Sequence, residues 1–319
     1  MKQTDISLSL PEDPRPGLTI VVPVYNRASM VRDLLESIQG QSRLPDALIL
    51  VDDHSTDGTL SVLKDFEFQC KDFEIIVLSN SKKGATSARN LGLEHVRTDW
   101  TMFFDSDDLM SPNHLEMVMN MVRNHPTVDL IGWDVERIAI DGSKRHLVFE
   151  IDDMAWNNIM HGTLATQRYM AKTSLFRSVG GWNEDQPIWN DIELGVRLLN
   201  ASPRIVKADC PIPTVTIRVN PSSITGDRWS ARIDQYKVAL KNLSKVLGSE
   251  RQSWIRLKTA ILAGDIAREN PQAGELFYKE LLGKGLRTRI VYRWRKSGLR
   301  GAAKVFKLLF RNSKRKVGQ

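Results

Sequence analysis

The sequence predicts an α/β fold: a mostly parallel sheet flanked by helices, continued at the C-terminus by a helical, strongly basic extension. Three observations predict it. Between Leu18 and Arg123, short runs of β-formers alternate with helix-patterned segments. Those runs are continuously apolar, the mark of strands covered by helices on both faces and joined by right-handed crossovers. Each run is followed at once by polar residues, and ligands of such sheets bind beyond the strand C-termini.

Taken in order, a strand over Leu18 to Val22 precedes a helix over Met30 to Ile38. Strand Ala47 to Val51 precedes helix Thr59 to Phe66, strand Ile75 to Leu78 precedes helix Thr86 to Val96, and strand Thr101 to Phe104 precedes helix Asn113 to Arg123. From Trp133 the pattern is mixed. Strands are expected near Arg137 to Ile140, His146 to Ile151, Ile205 and Val215 to Val219, and helices over Lys172 to Val179 and Asp191 to Asn200. Beyond Gly226 the reading is helical. The expected organisation is a polar lead (1–17), a main α/β domain (18–225) and a helical basic region (226–319).

The chain has 319 residues, is 41% hydrophobic and 26% charged, and so falls among soluble globular proteins. Its net charge of +7 is unevenly placed. Residues 284–319 carry 13 Lys or Arg and no Asp or Glu, leaving 32 basic against 38 acidic side chains in the rest. An acidic body argues against nucleic acid as its partner, and a basic tail argues for an anionic one. In Gly301 to Arg311, Ala302, Val305, Phe306, Leu309 and Phe310 share one helical face, and Ile290, Val291 and Trp294 form a second stripe upstream. Such segments either lie in the interface of an anionic membrane or pack their stripe onto the main domain. Cys70 and Cys210 show no metal or disulfide spacing, and neither a signal peptide nor a spanning segment is apparent. The expected location is the cytoplasm, peripheral on the inner face of the cell membrane.

The polar residues after the strands carry the chemistry. Asp105-Ser106-Asp107-Asp108 puts three carboxylates after an apolar strand, which suits a hard divalent ion such as Mg²⁺ or Mn²⁺ and equally suits a turn before Ser111-Pro112. Asp52-Asp53 ends strand two, where an acid meets a ribose or base, or else makes an Asx turn. Lys82-Lys83-Gly84 precedes a helix whose first N–H groups and nearby cations could face a diphosphate, or the lysines are simply solvated. No GxGxxG follows strand one, which excludes a dinucleotide-binding dehydrogenase.

The ordered set Val21-Val22-Pro23-Val24-Tyr25-Asn26, Val51-Asp52-Asp53-His54-Ser55-Thr56-Asp57-Gly58-Thr59, Gly84 with Ala88-Arg89-Asn90-Leu91-Gly92, Phe104-Asp105-Ser106-Asp107-Asp108, and Gly180-Gly181-Trp182-Asn183-Glu184 followed by Asn190-Asp191 resembles the family 2 glycosyltransferases. The resemblance covers Leu18 to Thr225. It implies a GT-A fold, a nucleotide-diphospho-sugar donor (UDP before GDP or dTDP) and inversion at the anomeric carbon. It puts Pro23, Tyr25 and Asp53 around the nucleoside, with Lys83 and Arg89 near base or phosphates. Asp105 and Asp107 become the metal-binding DxD pair, helped by Asp108. Asp191 becomes the general base, in a chain that has Asn190 where most relatives have Glu. Glu184 and Trp182 line the sugar pocket, although a core position suits Trp182 equally. Arg218 is a candidate diphosphate contact, and Asn220 stands where many relatives carry a metal- or diphosphate-assisting His. The acceptor implied is a glycan or lipid-linked saccharide in cell-surface polysaccharide assembly. Two other classes remain: a catalytically silent nucleotide-sugar or membrane-surface module, and a sugar nucleotidyltransferase, whose Gly-rich, Arg-containing loop after strand one is missing.

Overall fold

A computed structural model describes residues 16–219, 229–283 and 285–298. The apolar runs and their following helices become β1 (Leu18–Val24), α1 (Val31–Gln39), β2 (Ala47–Asp52), α2 (Thr59–Gln69), β3 (Glu74–Ser79), α3 (Ala85–His95) and β4 (Trp100–Phe103). There follow β5 (Leu109–Met110), α4 (His114–Asn124), β6 (Leu130–Gly132), β7 (Val135–Ile138), β8 (Lys144–Leu147), α5 (Met154–His161), β9 (Tyr169–Lys172), α6 (Thr173–Ser178), α7 (Asn190–Asn200), β10 (Ile205–Lys207) and β11 (Val215–Arg218). Four helices close the described chain: α8 (Ile233–Leu247), α9 (Gln252–Glu269), α10 (Pro271–Leu282) and α11 (Leu286–Lys296).

The main sheet has seven strands in the order β10-β6-β9-β4-β1-β2-β3. All pairings are parallel except those of β9, which runs antiparallel to both β4 and β6. Every residue of β1, β2 and β4 is buried, as two helical layers require. Strand order reverses beside β1: β2 and β3 extend one way and β4 the other, which opens a crevice at their C-terminal ends. Because β9 is antiparallel and Tyr169 pairs with Gly132, the turn entering β9 arrives at that same edge. A smaller sheet, β5-β11-β7-β8, stands beside it and brings Arg218 to the crevice.

Close packing fixes where α3 sits. A Cβ on Gly92 would lie 2.3 Å from Cγ1 of Val21, so glycine lets the helix approach β1 more closely than any side chain permits.

Two apolar cores sandwich the sheet, and a third joins α5 and α7 to the C-terminal helices through Trp156, Ile159, Ile192, Leu257, Ala263 and Phe277. Within this third core α9 is buried on most of its circumference, which marks a central helix rather than a surface one. Helix α10 starts on Asn270, whose side chain accepts from Ala273 N at 3.0 Å, with Pro271 in its first turn. In α11, Val291 and Tyr292 are buried and Arg295 pairs with Asp265 at 2.6 Å. That upstream stripe is packed inward, while Ile290 is exposed. The amphipathic segment 301–311 lies outside the described residues.

Candidate active site

The turn after β4 sorts its three acids by burial. Asp108 is 1% exposed; its Oδ1 accepts from Arg218 N at 2.8 Å and its Oδ2 from Gln167 Nε2 at 2.5 Å. Burial, then the charges of Asp105 and Asp107, pushes its carboxyl well above the usual range, against those two hydrogen bonds. Asp105 and Asp107 are partly open. Asp105 Oδ1 meets Arg89 Nη2 at 2.8 Å and its Oδ2 accepts from Gln167, while Asp107 lies 3.5 Å from Arg27. Arg218 also donates from Nε to the Asp107 carbonyl and from Nη1 to Asp33, both at 2.6 Å.

Among the described residues no three His, Cys, Asp or Glu side chains converge as a metal-holding group. The donor set itself fits a hard cation: Asp105 and Asp107 offer carboxylate oxygens from one turn, already balanced by the positive charges of Arg89 and Arg27. Asp108 has both oxygens committed to the protein and serves the turn's shape.

At the ends of β1 and β2, two loops are laced together by the motif after β2. Ser55 Oγ accepts from Asn26 N at 3.0 Å, Thr59 Oγ1 from Arg27 N at 2.8 Å, and Asp57 Oδ2 from Ala28 N at 3.1 Å. Asn26 Oδ1 returns the contact by accepting from Thr56 N at 2.8 Å. These side chains hold the neighbouring loop in place. Asp53 is buried and accepts from Gly84 N at 2.9 and 3.0 Å and from Asn80 Nδ2 at 2.8 Å, so it clamps the β3–α3 loop. That loop places Lys83 Nζ 4.8 Å over the ring of Tyr25, which is 43% exposed. Pro23 sits inside β1.

Asp191 lies in the first turn of α7. Its Oδ1 accepts from Ile192 N at 2.8 Å. Desolvation raises its pKa; the Ile192 hydrogen bond and the charges of Arg89 and Lys258 oppose the rise, and Asp105 adds to it. Arg89 is 6% exposed and stacks on Trp182 at 4.5 Å. Its Nε and Nη1, with Tyr169 OH and Trp182 Nε1, are buried donors without a protein acceptor. Tyr169 and Asp191 also act on each other electrostatically.

Trp182 belongs to the core, 2% exposed and edge-on to Phe103 at 5.2 Å, so it backs Arg89 rather than walling an open sugar pocket. Glu184 pairs with Lys82 and accepts from Asn90 Nδ2 at 3.2 Å; the Lys82 ammonium, then Asn90, holds its pKa below the usual range. Asn220 lies outside the described residues. Three residues escape sequence reasoning. Gln167 bridges Asp105 and Asp108 from a stretch without any motif. Asn90 clips the backbone of Trp182 at 2.8 and 2.9 Å, and its place in Ala88-Arg89-Asn90-Leu91-Gly92 was the signal available. Lys258 sits in an ordinary helical pattern that gives no sign of its burial.

Fold and crevice together are those of a GT-A glycosyltransferase scaffold. The model of glycosyl transferase family 2 matches residues 19–179, and the chain belongs to that family. An uncharacterized glycosyltransferase of Haemophilus influenzae is 33% identical over 115 residues, 36% of this chain and 37% of that protein. TuaG of Bacillus subtilis, named for teichuronic acid biosynthesis, is 33% identical over 102 residues, 32% of this chain and 40% of that one. The chain spans less than half the length of either relative. In three dimensions it resembles Staphylococcus aureus TarS 1–349 in complex with UDP-GlcNAc, with a TM-score of 0.57 and 14% identity over 88% of this chain and 92% of the other. It resembles the Pyrobaculum calidifontis mannosyltransferase PcManGT, in complex with GDP-Man and Mn²⁺, with a TM-score of 0.54 and 18% identity over 92% and 87%. The fold is GT-A, as the sequence resemblance implies.

Proposed function

We propose that the chain is an inverting glycosyltransferase that moves a sugar from a nucleotide-diphospho-sugar, with UDP as the nucleotide, to a glycan or lipid-linked acceptor in cell-surface polysaccharide assembly. One observation carries this reading: at the switch-point edge of the sheet, the paired acids of the β4 turn and a desolvated Asp191 sit within electrostatic reach of each other and share Arg89. Tyr25, Lys83, Asp53 and Pro23 receive the nucleoside; Arg89, Arg27 and Arg218 face the diphosphate; Glu184 takes sugar hydroxyls. Asp105 and Asp107 would hold a Mg²⁺ or Mn²⁺, which would supply positive charge to offset that of the departing diphosphate.

Asp191 accepts the acceptor's hydroxyl proton while that oxygen attacks the anomeric carbon opposite the diphosphate. The new glycosidic bond forms as the anomeric C–O bond to phosphate breaks, and the electron pair leaves with the nucleoside diphosphate. Arg89, held on Trp182 in a buried position, is preorganised for that charge and needs no reorganisation to stabilise it. Its unpartnered N–H groups gain acceptors from the donor's oxygens.

The membrane reading rests on the basic, amphipathic segment 301–311 and on the cation-only stretch 284–319. Among the described residues no helix is long and apolar enough to cross a membrane. Incubation with a panel of UDP-, GDP- and dTDP-sugars, Mn²⁺ and membrane extract tests the transferase. Release of UDP that depends on extract is the expected result, and release of none of the three diphosphates would overturn it. Flotation with phosphatidylglycerol vesicles tests the tail: a chain ending at Gly298, which keeps the packed helix α11, is expected to lose binding.

A further inference from the structure

The residue before the Asn190-Asp191 pair is in an unusual state. Trp189 has φ 56° and ψ 33°, a left-handed conformation that a bulky side chain adopts only where its surroundings over-determine it. Two side chains of the C-terminal helices do so. Tyr236 of α8 packs its ring 5.0 Å from that of Trp189, and Lys258 of α9 places its ammonium 4.2 Å from the Trp189 ring centroid.

Lys258 is itself buried, 8% exposed, with Leu257, Thr259 and Ala260 buried beside it. Its Nζ donates to the carbonyl of Ile159 in α5 at 2.5 Å. Helix α5 in turn grips α7, because Asn158 Nδ2 donates to the Ile192 carbonyl at 2.9 Å. An ammonium here is a worse core filler than the methionine of similar length that would fit, so packing does not explain it. Its charge does find a use. Asp191 and Lys258 each favour the other's charged form, on a carboxylate otherwise faced by Arg89 of α3, Asp105 after β4 and Tyr169 of β9.

We infer that Lys258 is a positioning residue for the reaction: from the C-terminal helical layer it grips the strained Trp189 turn and sets its positive charge behind Asp191, so that the base is aimed and kept ionised. The inference rests on the reading of Asp191 as the base. The C-terminal helices are thereby part of the catalytic apparatus.

The test uses the full chain, with turnover read as diphosphate release from UDP-GlcNAc, UDP-glucose, GDP-mannose and dTDP-rhamnose in the presence of Mn²⁺ and membrane extract. Lys258→Met removes charge and donor, Lys258→Gln keeps a donor, and Lys258→Arg keeps both. We expect Lys258→Met and Lys258→Gln to lower kcat at least tenfold with donor KM within about twofold, and to move the acidic limb of kcat to higher pH. Lys258→Arg is expected to recover part of the loss and the original limb. Folded Met and Gln variants with wild-type kcat and an unmoved limb would overturn the inference, as would a loss of kcat that leaves the limb in place and that Arg shares in full. Should these variants fail to fold, the wild-type protein still decides. Burial draws the Lys258 pKa down to about 8, so kcat is expected to fall on the alkaline side as the ammonium is lost, and a profile flat to pH 10 would refute the role. Asp191→Asn assayed alongside separates the two claims. Wild-type turnover by that variant sinks the base assignment, whereas its inactivity beside unaffected Lys258 variants sinks the Lys258 role alone.

Discussion

Gly92→Ala tests how tightly the scaffold holds the site. The added Cβ would sit 2.3 Å from Val21 Cγ1, about 1 Å short of ordinary contact, and 3.5 Å from Val51 Cγ2. Val21 is fully buried and β-branched, so its side chain has no free rotamer to escape into. Helix α3 must therefore back away from β1. Overpacking of this kind costs about 1–3 kcal/mol. Three residues earlier on the same helix is Arg89, whose 2.8 Å contact with Asp105 would stretch by a comparable distance. Misplacement of a site group by ~1 Å costs on the order of 100-fold in rate. Urea unfolding gives the first quantity and diphosphate release the second. A stability change under about 0.5 kcal/mol together with wild-type turnover would refute the packing argument.

Asn90→Ala removes the clip on Trp182 and leaves a backbone N–H and carbonyl short of partners, so a loss of about 2–4 kcal/mol in urea unfolding is expected, with donor KM rising as the Glu184 loop loosens. His114 is fully buried and its pKa is lowered to about 3 by desolvation, whereas an unfolded His titrates near 6.5. The unfolded chain binds that proton first, so stability falls as pH drops from 6.5 to about 3, by roughly 5 kcal/mol at the acid end. His114→Asn, which can keep the contact to Thr214, should flatten that part of the stability–pH curve in calorimetry. Asp105→Ala combined with Asp107→Ala should abolish the stimulation of turnover by Mn²⁺ and leave the folding transition cooperative. For Asp191, desolvation raises the pKa, so kcat should decline on the acid side above the ordinary carboxylate range, as seen in a pH–rate profile.

The strands β1 to β4 and their helices were legible to within a few residues, because buried parallel strands and amphipathic helices each impose a period on the sequence. Strands β6 and β9 were not: β6 has three residues and β9 four, and their assignment depends on the pairing Gly132 to Tyr169 rather than on any local pattern. Helix α5 begins after Asp153 at φ 49° and ends on Gly162, with no periodic stripe strong enough to announce it. Within the site, the acids were legible because three carboxylates after an apolar strand demand an explanation. Their environment was not. Ion pairing of Arg89 with Asp105, of Arg27 with Asp107, and the bridging by Gln167 arise from elements 16 to 80 positions apart along the chain. Lys258 was invisible for the same reason: a lysine in a helix reads as solvated until the partner layer is placed over it.

The proposed displacement stands or falls on Asp191. Asp191→Asn keeps the shape and the hydrogen bond from Ile192 N but cannot take a proton at neutral pH. Release of nucleoside diphosphate in the presence of acceptor should then fall by about 100- to 10,000-fold, with donor binding unchanged in calorimetry. Turnover equal to wild type would contradict the assignment of the base and, with it, the proposed direct displacement.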